Sequence, residues 1–323
     1  MRVGIGAITR RRPVTFATLL ESLAAMQRPE GVELIFLFAE NDTAPLAGDV
    51  VEAFRARVAE PVRLELEQRP GIPMARNRVL DMALEEGVDY LTFVDDDEVV
   101  APDWLMVLLE GVRARGLELA GGPVRIVAPS GALTPWNRAV LQYLQASAEK
   151  RTRLRSKLGR EDRDDEIAVY TNNWCLSLAA QRRTGVRFDE RLQFTGGSDT
   201  RFSLDFAAAG GRVGFVPDAV VDDVIPQKRL TPGYHYRRAR DQSTNAVMLR
   251  GKSAFKCFQQ ALLRCLDGML TLLTVPVSGR YGVVKAVHKF GVAAGRIRGA
   301  LGRRSSHYAA GSEGVHTEQR SGG

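Results

Sequence analysis

Short apolar runs alternating with helically spaced apolar residues through the first 115 positions constrain this chain more than any other feature. VGIGAI (3–8) and LIFLFA (34–39) are continuous apolar runs of strand length, and between them Phe16, Leu19, Leu20 and Leu23 share one face of a helix. A helix near Val50 to Val58, a strand carrying Val62, Leu64 and Leu66, and a helix carrying Ala75, Val79, Met82 and Ala83 extend the pattern to YLTFV (90–94). Such alternation predicts βαβ units and a parallel sheet. Ligands of parallel sheets lie beyond the carboxyl ends of the strands. Here those ends carry Thr9 to Arg12, Glu40 to Asp42 and Asp95 to Asp97.

Beyond the first half, a helix starts after Pro102, with Asp103 placed to cap it, and runs to about Arg115. GGPVRIVAP follows as a strand. Glu149 to Glu166 holds seven basic and six acidic residues with almost no apolar ones and reads as a mobile excursion. Order returns at VYTNNWCLSLAA (169–180). GGSDTRFSLDF then opens a helix with Phe202, Phe206 and Ala209 on one face, and RVGFVP is the strand after it.

Three consecutive carboxylates, Asp95, Asp96 and Asp97, repel one another by about 1 kcal/mol per pair at 4 Å in water and by more when desolvated. Something positive must share their site. A hard divalent cation, Mg²⁺ or Mn²⁺, held by one or two carboxylates and completed by substrate phosphates, is the ordinary solution. The opening turn, GIGAITRRRP, lacks the G-x-G-x-x-G of a dinucleotide oxidoreductase, and no GxxxxGK[ST] phosphate loop occurs. Cys175, Cys257 and Cys265 form no CxxC pair and the four histidines are scattered, which argues against a disulfide framework or a zinc site.

GIGAITRRRP, VELIFLFAEND, RPGIPMARNRVLDMA, LTFVDDDEVVAPDWL and FDERLQFTGGSDTRFSLDFAAAGG together resemble the family 2 glycosyltransferases of the GT-A fold, especially bacterial enzymes of exopolysaccharide (succinoglycan-type) synthesis on a lipid carrier. The resemblance implies an α/β, Rossmann-like, mostly parallel central sheet flanked by helices over residues 1–250. Residues 1–115 would form the nucleotide-sugar half and 116–250 the acceptor and catalytic half. It implies an inverting, metal-dependent transfer from a nucleotide-sugar, with UDP as the default carrier. Thr9 and Arg10 would lie beside the nucleotide. Glu40 stands where the family has an Asp that binds the base, with Asp42 in the same segment. Arg76 and Asn77 match a donor-side position, and Asp95 or Asp96 would hold the ribose. Asp97, with Asp95 as second candidate, would take the metal, and Asp199 matches the general base of the family's GGED signature, whose preceding acid is replaced here by Ser198. Asp222 or Asp223, and Arg229 with Thr231, fall near later family positions.

Two departures, Glu40 and Ser198, leave open a catalytically silent, membrane-associated nucleotide-binding component. A nucleotidyltransferase would share the carboxylates and metal and would release pyrophosphate instead of a nucleoside diphosphate.

The net charge of +7 sits wholly in one stretch: between Asp267 and Glu313 there is no acid, against Arg280, Lys285, Lys289, Arg296, Arg298, Arg303 and Arg304. Residues 251–323 therefore read as a basic apolar helical tail with a disordered C-terminus. An anionic membrane surface is the expected partner. Nucleic acid is not, since the tail lacks a recognisable motif and has few stacking aromatics. Leu262, Leu263, Leu266, Leu270 and Leu273 share a helix face that either packs on the domain or meets lipid. The apolar run from Gly268 to Gly279 is too short for the roughly 20 residues a span needs. With no secretory leader in MRVGIGAITRRRP, the expected place is the cytoplasm, peripheral on the inner face of the plasma membrane, with a saccharide or polyprenyl-diphosphate-linked acceptor.

Overall fold

Alternate residues of β2 (Glu33–Glu40) go to opposite apolar clusters, Leu34, Phe36 and Phe38 to one and Ile35, Leu37 and Ala39 to the other. A strand buried on both faces is an interior strand of a covered parallel sheet, which explains its unbroken apolar sequence. The computed structural model describes residues 1–193, 196–250 and 253–302. In chain order the first half is β1 (Arg2–Thr9), α1 (Pro13–Ala25), β2, α2 (Gly48–Arg55), β3 (Val62–Leu66), α3 (Ile72–Glu85) and β4 (Tyr90–Val94), as the periodicity predicts. Then come β5 (Glu98–Val100), α4 (Trp104–Arg115), β6 (Leu119–Gly121), β7 (Val124–Val127), α5 (Pro135–Arg160), β8 (Asn173–Ser177), α6 (Leu178–Thr184), α7 (Ser198–Ala208), β9 (Val213–Phe215) and β10 (Val221–Val224).

The main sheet has the order β3-β2-β1-β4-β8-β6-β9, and β8 alone runs against its neighbours. The expected α/β architecture with a mostly parallel sheet is what is found. From β1 the chain winds outward through β2 and β3, then returns to place β4 on the other side of β1. That reversal opens a crevice between the ends of β1 and β4. A second sheet, β5-β10-β7, stands beside it. The strand read in GGPVRIVAP is β7 of this second sheet, whereas β6, just before it, belongs to the main sheet and has no counterpart in the sequence pattern. Asn173, paired in register with Val94, accepts from Trp104 Nε1 at 2.9 Å and donates to the carbonyls of Pro123 and Ala219 at 2.9 and 2.7 Å. Each such partner left unmade in a buried site costs about 1–3 kcal/mol. The end of β4, from which Asp95 emerges, is thereby held by a satisfied polar hub.

The polar segment 149–166 is not the excursion expected: α5 continues through it to Arg160. Its charges fall at helical spacing, with Glu149 and Arg153 paired at 3.6 Å, and Arg155 lies over the Tyr170 ring at 4.8 Å. Long charged side chains are good helix formers that cover apolar surface with their stems, so low apolar content did not mean disorder. Asp103 does precede α4, but its side chain makes no capping hydrogen bond.

The described residues form two compact units, one of 1–128, 145–193 and 198–225, the other of 129–144, 196–197, 226–250 and 253–302. The second unit contains α8 (Pro232–Arg250), α9 (Ala254–Leu273) and α10 (Val275–Ala300), the last kinked at Gly279. Gly291 and Gly299 of α10 face α8 so closely that a Cβ would stand 2.7 Å from the Tyr236 carbonyl oxygen and from Val247 Cβ, respectively. The Gly-rich stretch is thus a helix-packing surface. The expected disordered C-terminus lies outside the described residues.

Within this unit His235 is buried, stacked on His288 at 5.0 Å and edge-on to Tyr143 at 5.0 Å, and its Nε2 has no hydrogen-bond partner among the described residues. Burial first, and then the nearness of His288 and Arg238, lowers its pKa to about 4. The unfolded chain binds the proton near pH 6.5. Stability is therefore full above about pH 6.5 and is lost as pH falls through about 4, by about 3 kcal/mol. Urea melts of the wild type and of His235→Phe across that window should diverge, with the variant losing less.

Candidate active site

Thr9 ends β1 and Asp96 follows β4, and the two meet across the crevice: Thr9 Oγ1 donates to Asp96 Oδ2 at 2.8 Å in a buried bond. The positive partner that three adjacent carboxylates require is a side chain the sequence reading did not single out. Arg12 donates from one guanidinium nitrogen to Asp96 Oδ1 at 3.0 Å and to Asp97 Oδ2 at 3.2 Å. Burial opposes its charge, yet Asp96, Asp97 and Asp95 outweigh it and raise its pKa. An Arg run immediately after a strand whose neighbour ends in acids was the available signal. Arg11 between them adopts φ 53°, a left-handed conformation that non-glycine residues seldom hold without support.

Asp95 has its carboxyl pushed up to about 7 by desolvation and by Asp97, Asp96 and Asp199, against the pull of Arg76. Asp96 is also raised, by burial first. Beneath them Glu98 accepts the Asp95 backbone N–H at 2.9 Å and is itself held well above the carboxylate range by burial, with Asp223 of β10 opposite it in register. Glu98 is a further acid that the strand pattern gave no reason to select. Asp222 next to Asp223 is engaged by Arg125 at 2.6 and 2.8 Å.

On the far side, α3 brings in Arg76, which is buried and donates to Ser198 Oγ at 3.0 Å while standing 3.8 Å from Asp95 Oδ1. Its Nε has no hydrogen-bond partner among the described residues. Ser198, where an acid was expected from the resemblance, therefore anchors the guanidinium. Asn77 is spent on the segment around Phe188: it donates to the Phe188 carbonyl at 3.0 Å and to Glu190 Oε1 at 3.1 Å and accepts the Phe188 N–H at 3.0 Å. That pair ties α3 to the segment leading toward α7. Asp199, in the first turn of α7, accepts the Thr200 N–H at 2.6 Å and adds its charge to the field at Asp95.

Around β2, Glu40 is buried and accepts the backbone N–H groups of Leu46 and Ala47 at 2.8 to 3.0 Å, fixing the entry to α2. Asp42 accepts from Arg11 at 2.5 and 3.0 Å and from the Thr43 N–H at 2.7 Å, and the Arg11 bond chiefly holds its pKa near 2. Arg10 lies close enough to add to that pull. Thr9, Arg76, Asp95, Asp96, Asp97 and Asp199 are thus brought together, with Arg10, Glu40 and Asp42 on the β2 side. Arg229 and Thr231 belong to the second unit, where Thr231 Oγ1 accepts the Tyr234 N–H at the start of α8.

Among the described residues no three His, Cys, Asp or Glu side chains converge as a complete metal cage. A Mg²⁺ or Mn²⁺ site of one or two carboxylates finished by substrate phosphates needs no such cage. The hard oxygen donors at Asp95 and Asp97, their mutual repulsion and the cation already drawn to Asp96 and Asp97 fit a partial site of that kind.

Residues 8–179 match glycosyl transferase family 2. The chain is 33% identical over 255 residues to the succinoglycan biosynthesis protein ExoM of Rhizobium meliloti (strain 1021), covering 78% of this chain and 77% of the relative. Among solved structures it resembles the mannosyltransferase PcManGT of Pyrobaculum calidifontis in complex with GDP-Man and Mn²⁺. The TM-score is 0.52 at 14% identity, over 95% of this chain and 77% of that one. It also resembles S. aureus TarS 1–349 in complex with UDP, with a TM-score of 0.51 at 13% identity over 92% and 91% of the two chains.

Proposed function

The chain belongs to glycosyl transferase family 2 and is a glycosyltransferase, and from that premise we propose that it moves a sugar, with inversion, from a UDP-sugar to a saccharide carried on polyprenyl diphosphate at the inner face of the plasma membrane. The observation that carries the proposal is the single crevice into which β1, β4, α3 and α7 deliver Thr9, Asp95 to Asp97, Arg76 and Asp199. The similarity to a succinoglycan biosynthesis protein and the nucleotide-sugar and Mn²⁺ in PcManGT support the same reading.

In this proposal the nucleotide lies over the ends of β1 and β2, beside Thr9 and Arg10, with Glu40 and Asp42 shaping the pocket through the backbone and the Arg11 they hold. Asp95 or Asp96 takes the ribose. Asp97, with Asp95, would hold Mn²⁺ or Mg²⁺, which supplies charge stabilisation for the departing diphosphate. Arg12 and Arg76 bring positive charge to the same corner, and Arg76 is kept straight by Ser198. Asp199 takes the proton from the attacking hydroxyl as the oxygen bonds to the anomeric carbon and the diphosphate leaves. One direct displacement inverts that carbon.

Incubation with a panel of nucleotide-sugars and Mn²⁺, reading the released nucleotide, tests the proposal. We expect UDP release that depends on one sugar, and a rise in melting temperature with that donor that requires the cation. Pyrophosphate release would make the chain a nucleotidyltransferase. Donor binding without turnover on any acceptor would make it the silent component that Glu40 and Ser198 leave open.

A further inference from the structure

Helix α9 is built inside out. A surface helix ordinarily buries its bulky apolar face and shows water its small and polar one. The buried side of α9 is Cys257, Ala261, Gly268 and Thr271, with Gly268 set against the Phe290 ring of α10. Its large residues, Phe255, Phe258, Leu262, Leu266, Met269 and Leu273, recur at three- and four-residue spacing and are all exposed, Leu262 by 61% and Leu273 by 77%. Leu263 and Leu270 widen the same side. The packed alternative for the leucine face is thereby removed. A row of this size exposed by chance is costly and prone to aggregate, and such patches mark interaction surfaces.

Charge selects the occupant. The acid of α9, Asp267, is neutralised by Lys289 at 2.6 Å and faces Arg264 at 3.5 Å. From Gly268 to Gly302 there is no acidic residue, while Arg280 and Lys285 are exposed. Two copies joined through α9 would bring these like charges together, whereas an anionic surface would neutralise them. No described helix is long and apolar enough to cross a membrane, which leaves an in-plane contact.

We propose that α9 is an in-plane membrane anchor whose exposed apolar face enters the headgroup region of an anionic bilayer, while the basic residues beside it meet lipid phosphates. Gly291, Gly295 and Gly299 of α10 take no part in this contact, being used against α8. The inference deepens the reading of a lipid-borne acceptor and rests on it only for the choice of the cytoplasmic leaflet.

Flotation of the full chain with phosphatidylcholine vesicles, with and without phosphatidylglycerol, tests it. Wild type should float with the anionic vesicles, less so in high salt. Leu262→Gln with Leu266→Gln should lower the bound fraction about tenfold or more, with an unchanged melting temperature because both positions are exposed. Wild type remaining at the bottom of the gradient with both vesicles, or a double variant that floats equally well, overturns the proposal. A dimer in light scattering that the double variant breaks, with vesicles ignored, would assign the face to a second copy and overturn it too. Donor-induced stabilisation measured on the same samples reports separately on the transferase reading.

Discussion

Asn at position 199 should lower kcat by about 10²–10⁴-fold while donor affinity stays near its wild-type value. Asp199 lies in the first turn of α7, where an acid is ordinarily a cap or a dipole partner, and its Oδ1 does accept the Thr200 N–H. The Asn side chain keeps that acceptor and nearly the same shape, so a capping role survives the change. A proton-accepting role does not. Its charge also reaches Asp95, in the crevice. Single-turnover rates and donor titrations on the same variant separate the cases. A fall in rate alone supports the base, and a parallel fall in affinity moves Asp199 to the donor. A normal rate returns it to helix capping.

The layered fold was legible because it depends on patterns that sequence displays directly. Both faces of β2 are apolar and the helices around it keep one apolar stripe each, so burial and period agree. The site was legible in the same measure: strand ends in a parallel sheet are fixed by the alternation, and Asp95 to Asp97 stand at one. What stayed hidden depends on side-chain partnership across long separations. That Arg12 neutralises Asp96 and Asp97, that Ser198 receives Arg76, and that Asn77 is spent on the Phe188 backbone follow from pairings 84 to 122 residues apart, which no local pattern encodes. The misread segment 149–166 failed for another reason. Scarcity of apolar residues is not absence of structure where, as in α5, charge pairs and aliphatic stems sustain a helix. In the tail, spacing placed the leucines on one face of a helix, but only the packing of α9 on its small residues tells which way that face points.

Replacing Asp97 by Asn should abolish transfer and donor hydrolysis and remove the Mn²⁺-dependent part of UDP binding. The alternative is that Asp97 serves only to hold Arg12, since its Oδ2 accepts from that guanidinium at 3.2 Å. Arg12→Ala separates the two. If Asp97 matters only through Arg12, both variants should weaken activity to the same extent, and neither should change binding of Mn²⁺ in the absence of nucleotide. If Asp97 is itself the oxygen donor, the variants diverge. Asn at 97 removes a hard anionic ligand, for which an amide oxygen is a poor substitute where charge must be balanced. Ala at 12 instead withdraws the cation that competes for Asp96 and Asp97, so Mn²⁺ without nucleotide should bind more tightly than in wild type. Calorimetric titration of Mn²⁺ into both proteins reads this without any turnover. The arrangement then has a simple physical logic: before the donor arrives, a cluster of carboxylates that would otherwise repel one another is kept folded by a guanidinium, and that same guanidinium is free to turn to the diphosphate once another positive charge takes its place.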